Sequence, residues 1–495
     1  MGVNESRHVT NIFEATEWRV RGQRALESCC YEEARQAYVH ALALEPYSVD
    51  VLRGLGFALF QLKQLAQSLE MLERALRIDP SDLLSRLLMG RLCLRLQQPA
   101  GAIEHFSVIL QRIGNSASAR SGLIDAHLAL GQLPQAEALC GEILNAEPHA
   151  EVGQLAAARL ATLKRDDEKA LLHFETLVQS RPHNVVHRYN RGLCLLRMGR
   201  FDEGWCDYEF RFAAGAVHLR LPPTPRWDGR RVGSLLVLAE QGLGDTILFS
   251  RFLRDAASRV DRLTLVCADS LVGLVGRSLD ASCVSGESAT WPPHDAHVPL
   301  MSLPFVLGLG AAAVESCPAY LTVDAARRER WASLMAPRTD RRLRVGVVHA
   351  TSAAHSTEEN PWTRRSCPPE DLLPIVQVEG IESYNLNLGR AGAVASAALP
   401  GLQELPAPLE DFDDTAAVVS LLDAVISVDT ACAHVAGATG TCSFILLPPA
   451  PDWKWQTHGS TPPWYQSTRL IHMDSAGQWP GAVASLVRRL TARID

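Results

Sequence analysis

A carboxylate just past a Gly-x-Gly turn is the first place in this sequence where spacing alone suggests chemistry. The stretch LLVLAEQGLGDTILFSRFL, residues 235–253, reads as strand, glycine turn and helix. Gly242 and Gly244 allow a tight turn after Gln241, and Asp245 and Thr246 fall where the helix begins. A carboxylate there can cap orphan backbone N–H groups, or it can act at the carboxyl end of a strand, where open α/β sheets place their sites. A second stretch, residues 411–440, predicts a capped helix, the strand Ala424–Val428 and the corner Asp429-Thr430-Ala431, then a helix carrying His434. The N–H groups of Thr430, Ala431 and Cys432 would face out of that helix's N-terminus and suit a diphosphate, with Asp429 placed to accept from a sugar hydroxyl. His434 reads as a buried core histidine or as a substrate contact. Between these stretches, ENPWTRRSCPPEDLLPI (359–375) carries Arg364, Arg365 and Ser366 in a loop. Alone it is a solvated basic loop; beside a phosphate site its guanidinium groups would neutralise a leaving anion. Asp411-x-Asp413 has metal-binding spacing, but it precedes a helix with Asp414-Thr415 and reads better as capping.

These residues need strands to hold them. Apolar runs at Leu235–Ala239, Leu263–Cys267, Val345–His349, Ala424–Val428 and Phe444–Leu447 are separated by helix-length segments, the pattern of buried parallel strands in α/β units. The charged segment Asp324–Arg342 divides this region near its middle. Two Rossmann-like halves are expected, 232–340 and 341–495, the second closed by a helix over Gly481–Ile494. A linker at 219–231, rich in proline around LPPTPRWDGRR, precedes them.

Upstream, residues 15–218 repeat. Proline falls at 46, 80, 148 and 182, spaced by 34 residues or twice that. Small residues recur at Ala34, Ser68, Ala102, Ala136, Ala170 and Gly204. Four positions on come Tyr38, Leu72, Phe106, Cys140, Phe174 and Tyr208, and another phase gives Gly22, Gly56, Gly90, Ile124, Ala158 and Gly192. A 34-residue unit of two helices, small where the helices cross and ended by proline, is the tetratricopeptide pattern. Six such units predict an α-solenoid with a concave face for another polypeptide. The third has Gly114 in place of proline. The sixth is loaded with aromatics (Tyr189, Phe201, Trp205, Tyr208, Phe210, Phe212), which predicts docking onto the α/β region downstream. The fold class is therefore α plus α/β.

The chain has 495 residues, 21% charged and 47% hydrophobic, with a net charge of −7, too long for one core and ordinary for a folded protein. That charge argues against nucleic acid as the main partner. No apolar run is long enough for a membrane span, and the N-terminal residues lack a secretory pattern. Twelve scattered cysteines without Cys-x-x-Cys read as reduced and mostly buried. A cytoplasmic protein is expected.

Taken together, Glu240-Gln241-Gly242-Leu243-Gly244-Asp245-Thr246, Arg365-Ser366, Asp414-Thr415-Ala416-Ala417 and Ser427–Gly437 resemble bacterial tetratricopeptide-repeat glycosyltransferases. The catalytic domain of these proteins is similar to the heptosyltransferase group with GT-B architecture. Pro449-Ala450-Pro451-Asp452-Trp453-Lys454-Trp455 and Pro463-Trp464-Tyr465 look like the same family near its C-terminus. The resemblance implies inverting, metal-independent transfer from a nucleotide sugar, with no cofactor. It places Asp245 as base within an acceptor-side loop of Gln241, Gly242, Gly244 and Thr246. Donor contacts would come from Arg365, Ser366, Asp429, Thr430, Ala431 and His434. It also implies an acceptor protein held by the repeats, flagellin in some members. The chain departs from the family at His349-Ala350-Thr351-Ser352, where relatives carry a Trp-Ala-Gly-like turn, and around Asn387 and Arg390, where relatives place an acidic residue on the ribose.

Overall fold

The computed structural model describes residues 2–279, 281–286, 290–315, 318–335, 337–338, 342–351, 365–456, 459–473 and 478–494. It divides into two compact units, Met1–Leu160 and Ala161–Asp495.

The first unit consists of paired helices. Gly2–Glu27 pairs with Tyr31–Leu44, Val49–Gln61 with Leu65–Ile78, Leu83–Arg95 with Pro99–Ile113, and Ala117–Ala129 with Leu133–Ala146. The columns in the sequence have a steric cause. A β-carbon on Gly22 would come within 2.8 Å of the Tyr38 ring, one on Gly56 within 2.9 Å of Leu72, and one on Gly90 within 2.6 Å of Phe106. Each glycine thus leaves room for the large side chain of its partner helix. Phe106 and Leu72 are fully buried as a result, and each is worth about 1.5–3 kcal/mol of apolar transfer. Side chains of Asp82 and Ser116 cap helix starts by accepting from Ser85 N and Ala119 N. Helices stop two residues before Pro46, Pro80 and Pro148. In the third repeat Gly114, at φ 65°, ends the helix instead.

The second unit begins inside the helix Glu151–Leu163, so it holds the second helix of repeat five and all of repeat six: Asp167–Ser180, Val185–Arg197 and Phe201–Tyr208. The repeat helices run on to Tyr208, and the last of them share the compact unit that holds the sheets. The reason is the aromatic load. Phe201, Trp205 and Tyr208 are buried, Trp205 Nε1 donates to Leu309 O at 3.0 Å, and Phe201 lies edge-on to Trp464, 5.4 Å between centroids. The segment 219–231 is anchored too: Trp227 is buried, and its N–H donates to His297 O at 2.7 Å.

Among the described residues there are two sheets, both parallel. β1 (Val232–Leu238), β2 (Val260–Cys267), β3 (Ser282–Ser285) and β4 (Ala296–Pro299) form the order β3-β2-β1-β4. β5 (Leu343–Val348), β6 (Ile381–Asn385), β7 (Ala424–Val428), β8 (Ser443–Leu447) and β9 (Thr468–His472) form β6-β5-β7-β8-β9. Leu235 pairs in register with Leu263 and Ala296, and Val347 with Ile426. The burial of β1, β5, β7 and β8 along nearly their whole length explains their unbroken apolar runs. Strand order reverses beside β1 in the first sheet and between β5 and β7 in the second. Crevices outside the carboxyl ends of strands at such switch points are where open α/β sheets bind ligands. One core cluster runs through repeat six, the first sheet and the helix Ala431–Thr439, including Tyr208, Val237, Phe249, Val435 and Trp464. The helix Leu243–Ser250 packs directly on Ala431–Thr439.

Cysteines are less uniformly buried than the sequence suggests. Cys93, Cys140, Cys194, Cys267 and Cys367 are buried, whereas Cys29, Cys30 and Cys206 are exposed, the first two lying in or beside the turn after Gly2–Glu27, where no core reaches them.

Candidate functional site

β1 delivers its chain end into Glu240 and Gln241. Gln241 sits at φ 62°, a left-handed conformation unusual for a residue with a side chain. Its carboxamide donates to Tyr208 Oη at 2.7 Å, so the group that the sequence assigns to the acceptor loop braces that loop against repeat six. Glu240 does the same with charge. Its carboxylate takes both Arg211 Nε and Nη2, at 3.0 and 2.7 Å, and accepts Met301 N at 3.1 Å. Arg211 is fully buried; burial works against its charge, but Glu240 and Glu209 hold the guanidinium protonated well above the ordinary range. A fork-to-fork pair of this kind fixes geometry as well as charge. Glu240 opens the motif Glu240–Thr246 and Arg211 lies in the aromatic sixth repeat, but the sequence assigns neither a role.

The turn then makes the helix Leu243–Ser250. Asp245 Oδ2 accepts Gly242 N at 2.9 Å and Thr246 Oγ1 donates to Gly242 O at 3.3 Å, so the capping reading of Asp245 is realised. Its other oxygen faces a residue to which the sequence reading assigns no role. Lys454 Nζ lies 2.9 Å from Asp245 Oδ1 and 2.7 Å from Asp452 Oδ1. Lys454 is buried in the short turn Trp453–Trp455 beyond β8. Burial opposes its charge, yet Asp245, Asp452 and Asp429 outweigh it and hold the ammonium well above the usual lysine range. Desolvation acts on Asp452 in the opposite sense, and Lys454 again prevails, keeping that carboxyl low. The available signal was a single lysine set between two tryptophans, with Asp452 just before them.

β7 ends at Asp429. Burial pushes its carboxyl up, against the pull of Lys454. Arg365 Nη1 approaches Asp429 Oδ2 at 3.5 Å and His434 Nε2 stands 3.8 Å from Oδ1. Thr430 caps the next helix by accepting Ala433 N at 3.4 Å, and its hydroxyl meets Ser427 Oγ at 2.8 Å. The first intrahelical bond comes from His434 N, so Ala431 and Cys432 occupy the turn whose N–H groups have no helical acceptor. His434 is buried, with its ring stacked on Trp455 at 4.8 Å and Nδ1 3.0 Å from Tyr465 Oη. Burial, reinforced by the charge of Lys454, drives its pKa down to about 3. It is therefore a neutral, buried core histidine standing beside Asp429.

Ser366 lies at the end of β5, where its Oγ accepts Thr351 N at 3.2 Å and Cys367 N donates to His349 O at 2.8 Å. That seam brings Arg365 beside Asp429. Arg364 and Ser352 lie outside the described residues. Asn387 is occupied: Oδ1 accepts His349 N at 2.9 Å and Nδ2 donates to Val347 O at 3.1 Å. Asp411 caps its helix by accepting Asp414 N at 2.9 Å and pairs with Arg327 at 3.0 Å. Asp413 pairs with Arg277, and Asp414 takes Arg327 and Trp331 Nε1 at 2.7 and 2.9 Å. The Asp-x-Asp thus serves as cap and arginine anchor.

Asp245 and Asp429 thus stand just past switch-point strands of different sheets, the first paired with Lys454 and the second with Arg365, and Thr430 and His434 lie beside Asp429. Such a site can hold an anion on Arg365, Lys454 and the helix start, and it presents carboxylates to hydroxyl groups.

The family model described as "Tetratricopeptide repeat" matches residues 30–92 and 94–159. The N-terminal helices are tetratricopeptide repeats, a scaffold for binding other proteins. The chain is 25% identical over 505 residues to "Protein FlbA" of Caulobacter vibrioides, covering 95% of this chain and 78% of that one. Among solved structures it is similar to a tetratricopeptide repeat protein from Parabacteroides merdae, with 17% identity, 43% of this chain, 81% of that chain and a TM-score of 0.34. It is also similar to a thermophilic repeat protein of Thermus thermophilus, with 20% identity, 34% of this chain, 98% of that chain and a TM-score of 0.31. No described helix is long and apolar enough to cross a membrane.

Proposed function

We propose that this protein is an inverting glycosyltransferase of GT-B type that moves a sugar from a nucleotide sugar to a hydroxyl of an acceptor protein. The repeats hold the acceptor, with flagellin the first candidate, and the reaction takes place in the cytoplasm without a metal or cofactor. The observation that carries this reading is that Asp245 and Asp429 follow switch-point strands of two parallel sheets and are paired there with Lys454 and Arg365. In the reaction the acceptor oxygen attacks the anomeric carbon. The bond from that carbon to the phosphate oxygen breaks, and the nucleotide leaves with the electron pair. The hydroxyl proton passes to Asp245. Arg365 and the amides of Ala431 and Cys432 neutralise the leaving phosphate, and Asp429 holds the sugar. Metal independence rests on those cations and amides being placed where the leaving charge develops.

The test incubates the full-length chain with acceptors from its own genome, flagellin first, and a panel of nucleotide sugars, and weighs the acceptor intact. A mass gain of one glycosyl unit supports transfer. A second reading, a repeat scaffold whose sheets bind without turnover, draws on two features: Gln241 is committed to Tyr208, and both Asp245 oxygens are engaged. Acceptor binding with no mass gain for any donor favours that reading.

A further inference from the structure

We propose that Lys454 couples the two ends of the reaction, with Asp245 and the donor phosphate competing for its ammonium. The inference rests on the transferase reading. Both Asp245 oxygens are engaged: Gly242 N holds one, at 2.9 Å, and Lys454 Nζ holds the other, also at 2.9 Å. A hydroxyl approaching Oδ1 to give up its proton must share that side of the carboxylate with the Lys454 ammonium. The ammonium is buried among Asp245 from the β1 turn, Asp452 on its own turn and Asp429 at the end of β7. Arg365 stands across Asp429; His434 is neutral and the Tyr208 hydroxyl lies close by.

Among the described residues, Asp245, Asp429 and Asp452 face Lys454 and Arg365, three carboxyl groups to two cations, a balance unfavourable for a phosphate donor unless Lys454 is redirected. A phosphate entering beside Arg365 offers Lys454 a stronger partner than a single carboxylate oxygen. Turning toward it, Lys454 neutralises the leaving group and frees Asp245 Oδ1 in the same movement. Asp452, held to Lys454 on the same turn, keeps the ammonium within reach of both. Under this scheme the base is uncovered only when the donor is bound.

Competition has a signature that a purely structural lysine lacks. Removing Asp245's claim on Lys454 should tighten phosphate binding, whereas removing Lys454 should weaken it. The probe is inorganic pyrophosphate, titrated by calorimetry into the full-length wild type, Asp245→Asn, Lys454→Met, Lys454→Arg and the Asp245→Asn/Lys454→Met pair. We expect Asp245→Asn to bind three- to tenfold more tightly and Lys454→Met at least tenfold more weakly, with Lys454→Arg restoring most of the loss. In the double variant the gain from Asp245→Asn should vanish, because the two sites are coupled. Should Lys454→Met leave carboxylates too poorly compensated to fold, Asp245→Asn and Lys454→Arg still decide the matter. Wild-type binding with Asp245→Asn unchanged or weaker overturns the competition. Wild type that binds no pyrophosphate at all overturns the transferase reading beneath it.

Discussion

Gly244 lies against the imidazole of His434, so closely that a β-carbon on the glycine would come within 2.7 Å of His434 Cδ2. The ring has no retreat, with Trp455 stacked on it and Tyr465 bonded to Nδ1. This contact, rather than any left-handed backbone, is why the second glycine of the turn is glycine. Gly244→Ala should therefore cost about 1–3 kcal/mol through overpacking and disturb the Asp245 turn at once. Thermal melting and transfer assays on the same preparation check this; an alanine variant as stable and active as wild type refutes the packing argument.

Asp245→Asn keeps the shape and a side-chain oxygen that can still accept Gly242 N, so the fold should survive. Transfer should fall about a hundredfold or more, since a positioned base contributes about 10²–10⁴-fold. Early melting with full activity in the folded fraction would reduce Asp245 to its cap.

Arg365→Ala should weaken binding of the donor phosphate about ten- to a hundredfold, the worth of a charge-assisted contact. Calorimetry with pyrophosphate reads this directly. Unchanged affinity would return Arg365 to a solvated loop.

Arg211→Met strands Glu240 inside the protein. Removing one partner of a buried pair costs about 3–5 kcal/mol, so the second unit should melt at a markedly lower temperature. Pairing the change with Glu240→Leu should recover much of the loss. A single variant that melts like wild type would mean that the pair contributes no stability.

His434 titrates at about 3 in the folded protein against 6.5 when unperturbed. The unfolded chain therefore binds the extra proton between those values. The stability from keeping His434 neutral is full above about pH 6.5 and is lost as pH falls toward 3. Asp429, raised by burial, works in the opposite sense. The difference between wild type and His434→Asn isolates the histidine: the slope of melting temperature against pH from 6.5 down to 4 should be shallower in the variant. Parallel slopes would deny the imidazole its part.

Legibility in the sequence tracks the range of the forces involved. Gly22 with Tyr38 and Gly90 with Phe106 are sixteen residues apart and recur every 34, so their packing left a visible column. Asp245, Asp429 and the Asp411 cap were legible because each is fixed by the strand or helix next to it. Lys454 with Asp245, and Arg211 with Glu240, were not; each pair forms only after separate elements have packed, and neither leaves a local period. Gln241 shows the reverse hazard: its loop was found, but its carboxamide points to repeat six, which no reading of the loop alone could reveal.

The placement of repeat six inside the sheet-bearing unit carries a consequence for how such chains can be recombined. Trp205, Tyr208 and Arg211 are as much part of the β1 turn's support as the strand itself. An exchange of recognition arrays between related proteins that cut at residue 218 would leave the incoming sheets without their brace and the outgoing helices with bare tryptophan. A cut in the turn at 147–150 would avoid both faults. Trp205, Tyr208 and Arg211 would then stay with the sheets they pack against.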